Sequence, residues 1–256
     1  MTELELSTPF FIEGLPVHPL TQEQLISRIV DWASKSIFRR ICHLNVHALN
    51  LANGDSAFKG VLQSADLVYC DGVGVQIGAR LLGGHIPQRL TLTDWIDEAL
   101  SQFESADVSV FFLGDEPAVA AAAADQASHA HPRLSVAGWR GGFFETGSPE
   151  EDQIIAELHQ TGPNVVFVGM GMPRQEYWVR NNARRLTPSV FISAGAAFKW
   201  YTGVLPRPNR LLRDHGLEWF GRLLLEPRRL WRRYLVGNPR FLIRVLRARL
   251  ENSRTP

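Results

Sequence analysis

Ala65-Asp66-Leu67-Val68-Tyr69-Cys70-Asp71-Gly72-Val73-Gly74-Val75 is the stretch whose reading decides the fold. Its apolar run, closing at Cys70, suits a parallel strand buried on both faces, and it leads without a spacer into a glycine turn and the start of a helix. In an open α/β sheet, ligands lie outside the carboxyl ends of the strands. Asp71, directly before Gly72 and Gly74, is therefore placed to face a substrate as a base. Asp is also a favoured N-cap, and capping the helix that begins near Val73 accounts for the residue without any chemistry. The stretch alone leaves both readings open.

The same alternation recurs along the chain. Residues 21–33 carry Leu25, Ile26, Ile29, Val30 and Ala33 at helical spacing, behind the start signals Thr21 and Glu23. Residues 40–46 read as a strand, with His43 in its interior as an isolated histidine of the kind that usually belongs to a core or rim. Helical spacing resumes at His47, and further helices are expected over 94–103, 118–130 and from Ser148, with Pro149 at the first position. Residues 108–114, 134–138, 163–169 and 189–195 are strand-length apolar runs. After 134–138, the run Trp139-Arg140-Gly141-Gly142-Phe143-Phe144 offers aromatics that either flank a sugar or plug the sheet edge. Strands alternating with helices demand an α/β fold: a Rossmann-like, largely parallel sheet with helices on both faces.

The strand ending at Gly169 runs through Met170-Gly171-Met172-Pro173 into a helix expected over 174–186. Free amides and the helix dipole make such a turn a site for an anion such as a nucleotide-sugar pyrophosphate, with Gly169 and Gly171 at its floor. Arg174 and Gln175, in the first turn, are candidate contacts to phosphate or sugar, whereas Tyr177 and Trp178 are read as packing residues. The spacing is not Gly-x-Gly-x-x-Gly, so a nicotinamide cofactor and a soluble oxidoreductase are poor fits.

The chain has 256 residues, 45% of them hydrophobic, enough for one substantial core, which excludes a disordered protein. Cys42 and Cys70 both fall on expected strands and give no disulfide framework. The acidic start Met1-Thr2-Glu3-Leu4-Glu5 lacks the pattern of a signal peptide, so a cytoplasmic location is expected. No window reaches the roughly 18 to 20 uncharged apolar residues of a membrane span. The net charge of +1 conceals a division: from Leu205 onward 13 arginines face four carboxylates, so that segment holds +9 and the preceding residues −8.

Several long motifs, in order and covering most of the chain, resemble one family. These are Cys70-Asp71-Gly72-Val73-Gly74, Gln88-Arg89-Leu90-Thr91-Leu92-Thr93-Asp94, Gly169 to Glu176, Gly216-Leu217-Glu218-Trp219 and Glu226 to Tyr234. Together they resemble the WecG/TagA/CpsF glycosyltransferases, family 26. The resemblance implies inverting transfer of a sugar from a UDP-sugar to an undecaprenyl-diphosphate-linked sugar in surface-polysaccharide or wall-polymer synthesis, at the inner leaflet of the membrane. N-acetylmannosamine, its uronic acid and glucose are all compatible donors. In that reading Asp71 takes the proton of the acceptor hydroxyl, while Arg89, Gln175 and Asn45 position diphosphate or sugar. The family commonly has Thr-x-Asn where this chain has His43-Leu44-Asn45, and an acidic residue where it has Lys199. No cofactor is expected, and no metal either: the chain has no Asp-x-Asp, so helix amides and arginines must neutralise the leaving group.

The basic end has three readings: a bundle covering the core, a nucleic-acid arm, or a dock for an anionic lipid surface. Arginines interleaved with Trp, Tyr, Phe and Leu describe helices in a membrane interface, and no nucleic-acid module is recognisable. The expected division is a catalytic domain over 1–203 and a C-terminal basic helical appendage over 204–256. Arg207, Arg210 and Arg213 are candidates to close over the site. A non-catalytic, membrane-associated nucleotide-sugar binder stays as the alternative, and homo-oligomerisation is left open.

Overall fold

The computed structural model describes residues 7–209, 211–212 and 215–252. Six strands, β3 (Arg39–Leu44), β4 (Leu67–Cys70), β5 (Val110–Gly114), β6 (Val136–Arg140), β7 (Val165–Gly169) and β8 (Val190–Ser193), form one wholly parallel sheet in the order β4-β3-β8-β7-β5-β6. Before them, β1 (Phe10–Ile12) and β2 (Leu15–Val17) pair as an antiparallel hairpin. Its two turn residues, Glu13 and Gly14, both take positive φ, the geometry whose twist suits a hairpin. Three-residue strands carry too little periodicity to read from sequence.

Successive strand residues point to opposite faces, and the core divides accordingly. Val110, Phe112, Val165, Phe167, Val190 and Ile192 pack under α1 (Gln22–Ser34), α5 (Leu92–Ser105), α6 (Pro117–Ala130) and α9 (Ala197–Tyr201). Their neighbours Phe111, Leu113, Val166, Val168 and Phe191 face α7 (Pro149–Thr161) and α8 (Arg174–Asn181). Toward the other edge, Cys42, Leu44, Val68 and Cys70 face α2 (Val46–Gly54), α3 (Ser56–Gln63) and α4 (Val73–Leu81), so both cysteines are free and buried in the core. Phe112 lies 5.6 Å from each of the Phe167 and Phe198 rings; truncating a ring in such a place costs about 3–5 kcal/mol.

Some boundaries move for identifiable reasons. Thr21 caps α1 through a reciprocal capping box with Gln24. The helix expected to reach residue 186 stops at Asn181, because Asn182 turns its amide back onto the Trp178 carbonyl and the buried Glu151 carboxylate, both at 3.1 Å.

Beyond Gly203 the chain forms α10 (Glu218–Leu225), α11 (Pro227–Trp231), a π-helical turn (Arg232–Val236) and α12 (Gly237–Asn252). This tail folds back onto the sheet domain. Phe241 and Val245 join the core beside Val75, Ala79 and Leu49. A methyl on Gly78 would come within 2.6 Å of Phe241 Cζ, so glycine lets α4 and α12 approach closely. Arg244 fastens the packing with Nε 2.6 Å from Glu13 Oε1 and Nη2 2.9 Å from Asn50 Oδ1. Among the described residues no helix is long and apolar enough to cross a membrane.

Candidate active site

Asp71 stands at the carboxyl end of β4, its N–H donating to the Leu44 carbonyl at 2.8 Å. The capping reading is overturned: α4 begins at Val73, its N-cap is Gly72, and no side chain caps it. The carboxylate instead turns toward neighbouring elements. Asn45, the N-cap of α2, accepts the Ala48 N–H on Oδ1 at 3.0 Å, which leaves its Nδ2 to donate to Asp71 Oδ2 at 3.2 Å. Thr91 adds a side-chain hydrogen bond, and His43 Nε2 lies 3.9 Å away. Burial pushes the Asp71 carboxyl up, but His43, Arg222, Asn45 and Thr91 outweigh it and hold it below the usual carboxylate range. It is thus ionised at neutral pH.

Two cavities meet here. One, of about 250 Å³, is lined by Val73, Ile77, Trp219, Tyr234, Phe241 and Leu242 and has an apolar character. The other, of about 390 Å³, opens over the strand ends, between Gly169–Met172, Ala194–Ala197, Asp115 and Lys199. Asn45, His47, Asp71, Thr91, Arg222 and Arg233 line both. Of the described carboxylates, Glu218 borders only the apolar cavity and Asp115 only the polar one; Asp71 alone among them borders both.

The cations come largely from the tail. Arg222 lies over the Trp200 ring at 4.8 Å and is held by Glu218 at 2.6 Å, while Arg229 and Arg233 face the polar cavity. Burial pulls the Arg233 guanidinium down, Arg222 and Arg229 adding to the effect and Tyr234 and Asp71 opposing it. Lys199 bridges Asp115 at 3.1 Å and Glu116 at 3.4 Å; burial disfavours its charge, and the two carboxylates outweigh that and hold it up. The Lys199 ammonium is therefore already matched within the protein. Among the described residues no three His, Cys, Asp or Glu side chains converge as a metal site.

Asn45, Asp71, Gly72, Gly74 and Arg89 gather at the apolar cavity, and Gly169 and Gly171 at the polar one. Gly74 also serves packing, since a methyl there would reach within 2.5 Å of Val46 Cγ2. Arg89 lies 3.4 Å from Asp94 and 3.8 Å from Glu218. Three candidates stand apart from the cavities. Arg174 donates to the Phe144 carbonyl and sits 5.2 Å over the Phe144 ring. Gln175 is fully buried, accepting the Gly195 N–H at 2.9 Å and donating to Glu176 at 2.6 Å, so it braces the turn after β8 from behind. Arg207 is held by the Thr93 carbonyl and the Asp94 carboxylate. Arg210 and Arg213 lie outside the described residues. Phe143 is exposed at the polar cavity, whereas Phe144 is buried against Trp178.

The sequence reading passed over His47, Thr91, Arg222, Arg229 and Arg233 as site residues. No single helical period marks these arginines, because Arg222, Arg229 and Arg233 lie on three successive elements, broken at Glu226-Pro227 and again at the π-helical turn.

The model of the Glycosyl transferase WecG/TagA/CpsF family matches residues 10–255. Over 191 residues, 74% of this chain and 72% of the relative, the sequence is 30% identical to the N-acetylglucosaminyldiphosphoundecaprenol N-acetyl-beta-D-mannosaminyltransferase of Bacillus spizizenii. A protein of the same name from Bacillus subtilis is 27% identical over 75% of this chain and 73% of its own. Another, from Staphylococcus aureus, is 25% identical over 93% of this chain and 92% of its own.

Proposed function

The chain belongs to the WecG/TagA/CpsF family of glycosyl transferases, and from that premise we propose that it moves a sugar, with inversion, from a UDP-sugar to an undecaprenyl-diphosphate-linked sugar. The observation that carries this reading is the position of Asp71 as the one carboxylate among the described residues that borders both cavities. A donor in the polar cavity lays its diphosphate along the Gly169–Met172 turn, facing Arg222, Arg229 and Arg233, so that its anomeric carbon approaches Asp71. The acceptor enters from the apolar cavity and presents its hydroxyl to the same carboxylate. Asp71 takes the proton as the oxygen attacks, and a single displacement with one base and no protein nucleophile inverts the anomeric centre. The arginines and backbone amides carry the charge that develops on the leaving diphosphate, so the reaction needs no divalent metal.

The names of the relatives make N-acetylmannosamine the first donor to try and N-acetylglucosaminyl-diphospho-undecaprenol the first acceptor. The exposed apolar side chains Leu224, Trp231, Leu235, Ile243 and Leu250, interleaved with arginines, suit the anionic inner leaflet. Residues 1–203 then act as the cytoplasmic catalytic domain and 204–256 as a docking segment that also completes the site. The test is incubation with a set of UDP-sugars and the lipid-linked acceptor, read as product mass. A product one sugar heavier, with UDP released, is the expected result; UDP-sugar binding without product from any donor overturns transfer in favour of a non-catalytic binder.

A further inference from the structure

A second base stands directly behind Asp71. His43, in β3 and 8% exposed, lies with Nδ1 3.1 Å from the Ser193 carbonyl of β8 and Nε2 3.9 Å from Asp71 Oδ2. A carbonyl oxygen only accepts, so Nδ1 carries the ring hydrogen. In the neutral ring Nε2 therefore holds a lone pair facing the carboxylate. The other neighbours of Asp71 are of a different kind. Asn45 offers only its amide hydrogens, its oxygen being taken by Ala48, and Arg222 offers only N–H groups. Thr91 contributes a hydroxyl, which is no base near neutrality. Nε2 is the basic atom toward which a proton on Asp71 can move.

That proton has consequences if it stays. After transfer, a protonated Asp71 lies beside the new glycosidic oxygen, where by microscopic reversibility it is the acid for the reverse reaction. Building on the transfer reaction above, we propose that His43 relays the proton that Asp71 takes from the acceptor, receiving it at Nε2 and releasing it through the polar cavity. In the chemical step the acceptor O–H bond breaks and its proton goes to Asp71. The acceptor oxygen bonds the anomeric carbon, and the bond from that carbon to the diphosphate oxygen breaks with its electron pair leaving on UDP. Once substrate closes the 3.9 Å separation to hydrogen-bond reach, or one water spans it, the proton passes to Nε2, restoring the carboxylate and giving an imidazolium, which loses it to solvent in the polar cavity that His43 lines. The groups facing the imidazole are Tyr69 and Asp71 of β4, His47 of α2, Glu176 of α8 and the Ser193 carbonyl of β8; Arg222 and Arg233 of the tail face Asp71.

The experiment compares His43→Gln with wild type on kcat/KM across pH, with UDP affinity as the check on folding. Gln keeps a polar side chain of similar reach but supplies no base. The plateau should fall on the order of 10- to 100-fold, less than loss of the base itself, and the acidic limb should move down by about one pH unit or more because one required deprotonation is gone. A lowered plateau with an unmoved limb means that the ring only orients the carboxylate, and overturns the relay. A second measurement does not depend on that variant folding: the tautomer of the His43 ring is read by nitrogen NMR in wild type. The hydrogen should lie on Nδ1, against the Ser193 carbonyl, with Nε2 bare toward Asp71; a ring hydrogen on Nε2 overturns the proposal. Absence of any product with wild type removes the transferase reading instead, so the two failures are told apart.

Discussion

Replacing Asp71 by Asn tests the centre of the mechanism, because the substitution changes protonation and little else. The carboxamide fills the same volume, and its oxygen still accepts from Asn45 Nδ2, now 3.2 Å from Asp71 Oδ2. What disappears is the one carboxylate among the described residues that borders both cavities. Loss of a positioned general base lowers the rate about 10²- to 10⁴-fold, which is about 3–5 kcal/mol of transition-state stabilisation. The donor should bind at least as well as before, since a negative charge has been removed from among Arg222, Arg233 and the diphosphate they are proposed to hold. The assay pairs steady-state UDP release, with N-acetylmannosamine donor and lipid-linked acceptor, against calorimetric UDP binding. Turnover within tenfold of wild type, with unaltered UDP affinity, would remove Asp71 from the chemistry and refute the reasoning from its position.

Arg233→Ala should weaken UDP binding by about 10- to 100-fold, the worth of a charge-assisted hydrogen bond, whereas Arg174→Ala should leave it within twofold because Arg174 is bound to Phe144; equal effects in calorimetry would contradict the assignment. His47 is held down to about 4 by burial first and then by Arg233 and His43, so below about pH 6.5 the unfolded chain takes up its proton before the folded one does. Its contribution to stability is therefore complete above about pH 6.5 and declines toward pH 4. His47→Gln should flatten that decline in denaturant melts by up to about 3 kcal/mol, and an unchanged slope would count against it. For the membrane surface, Leu235→Glu with Arg228→Glu and Arg232→Glu should release the protein from anionic vesicles in flotation while sparing transfer to a short-chain soluble acceptor; continued flotation would mark the tail as purely structural. Arg229 and Arg233 are excluded from that set because they line the site.

The parallel sheet was legible because strands buried on both faces leave unbroken apolar runs such as Val165–Gly169, and the position of Asp71 was legible because ligands collect at strand ends. The directions of side chains were not. Nothing adjacent to Arg174 reveals that Phe144, 30 residues earlier, will hold it. The basic end looked uniform in sequence, and which arginines turn inward is settled by Phe241 and Val245 seating α12 against α2 and α4. His43 looked like any lone histidine, and its meaning came only from Ser193, 150 positions away, fixing which nitrogen faces the carboxylate.

β8 sits fourth from one edge of the sheet yet is the last strand to emerge during synthesis, entering between β3 and β7. Until then the native pairings open to a nascent chain are confined to β4-β3 and β7-β5-β6, each of which would leave an open edge toward the gap. Closing that gap joins residues some 150 positions apart, a slow, non-local step that leaves unpaired edges available to chaperones or to other chains in the meantime. The same insertion brings the Ser193 carbonyl to His43 and the Gly195 turn onto the polar cavity, a half-built cleft that the tail emerging next covers with Arg222, Arg229 and Arg233.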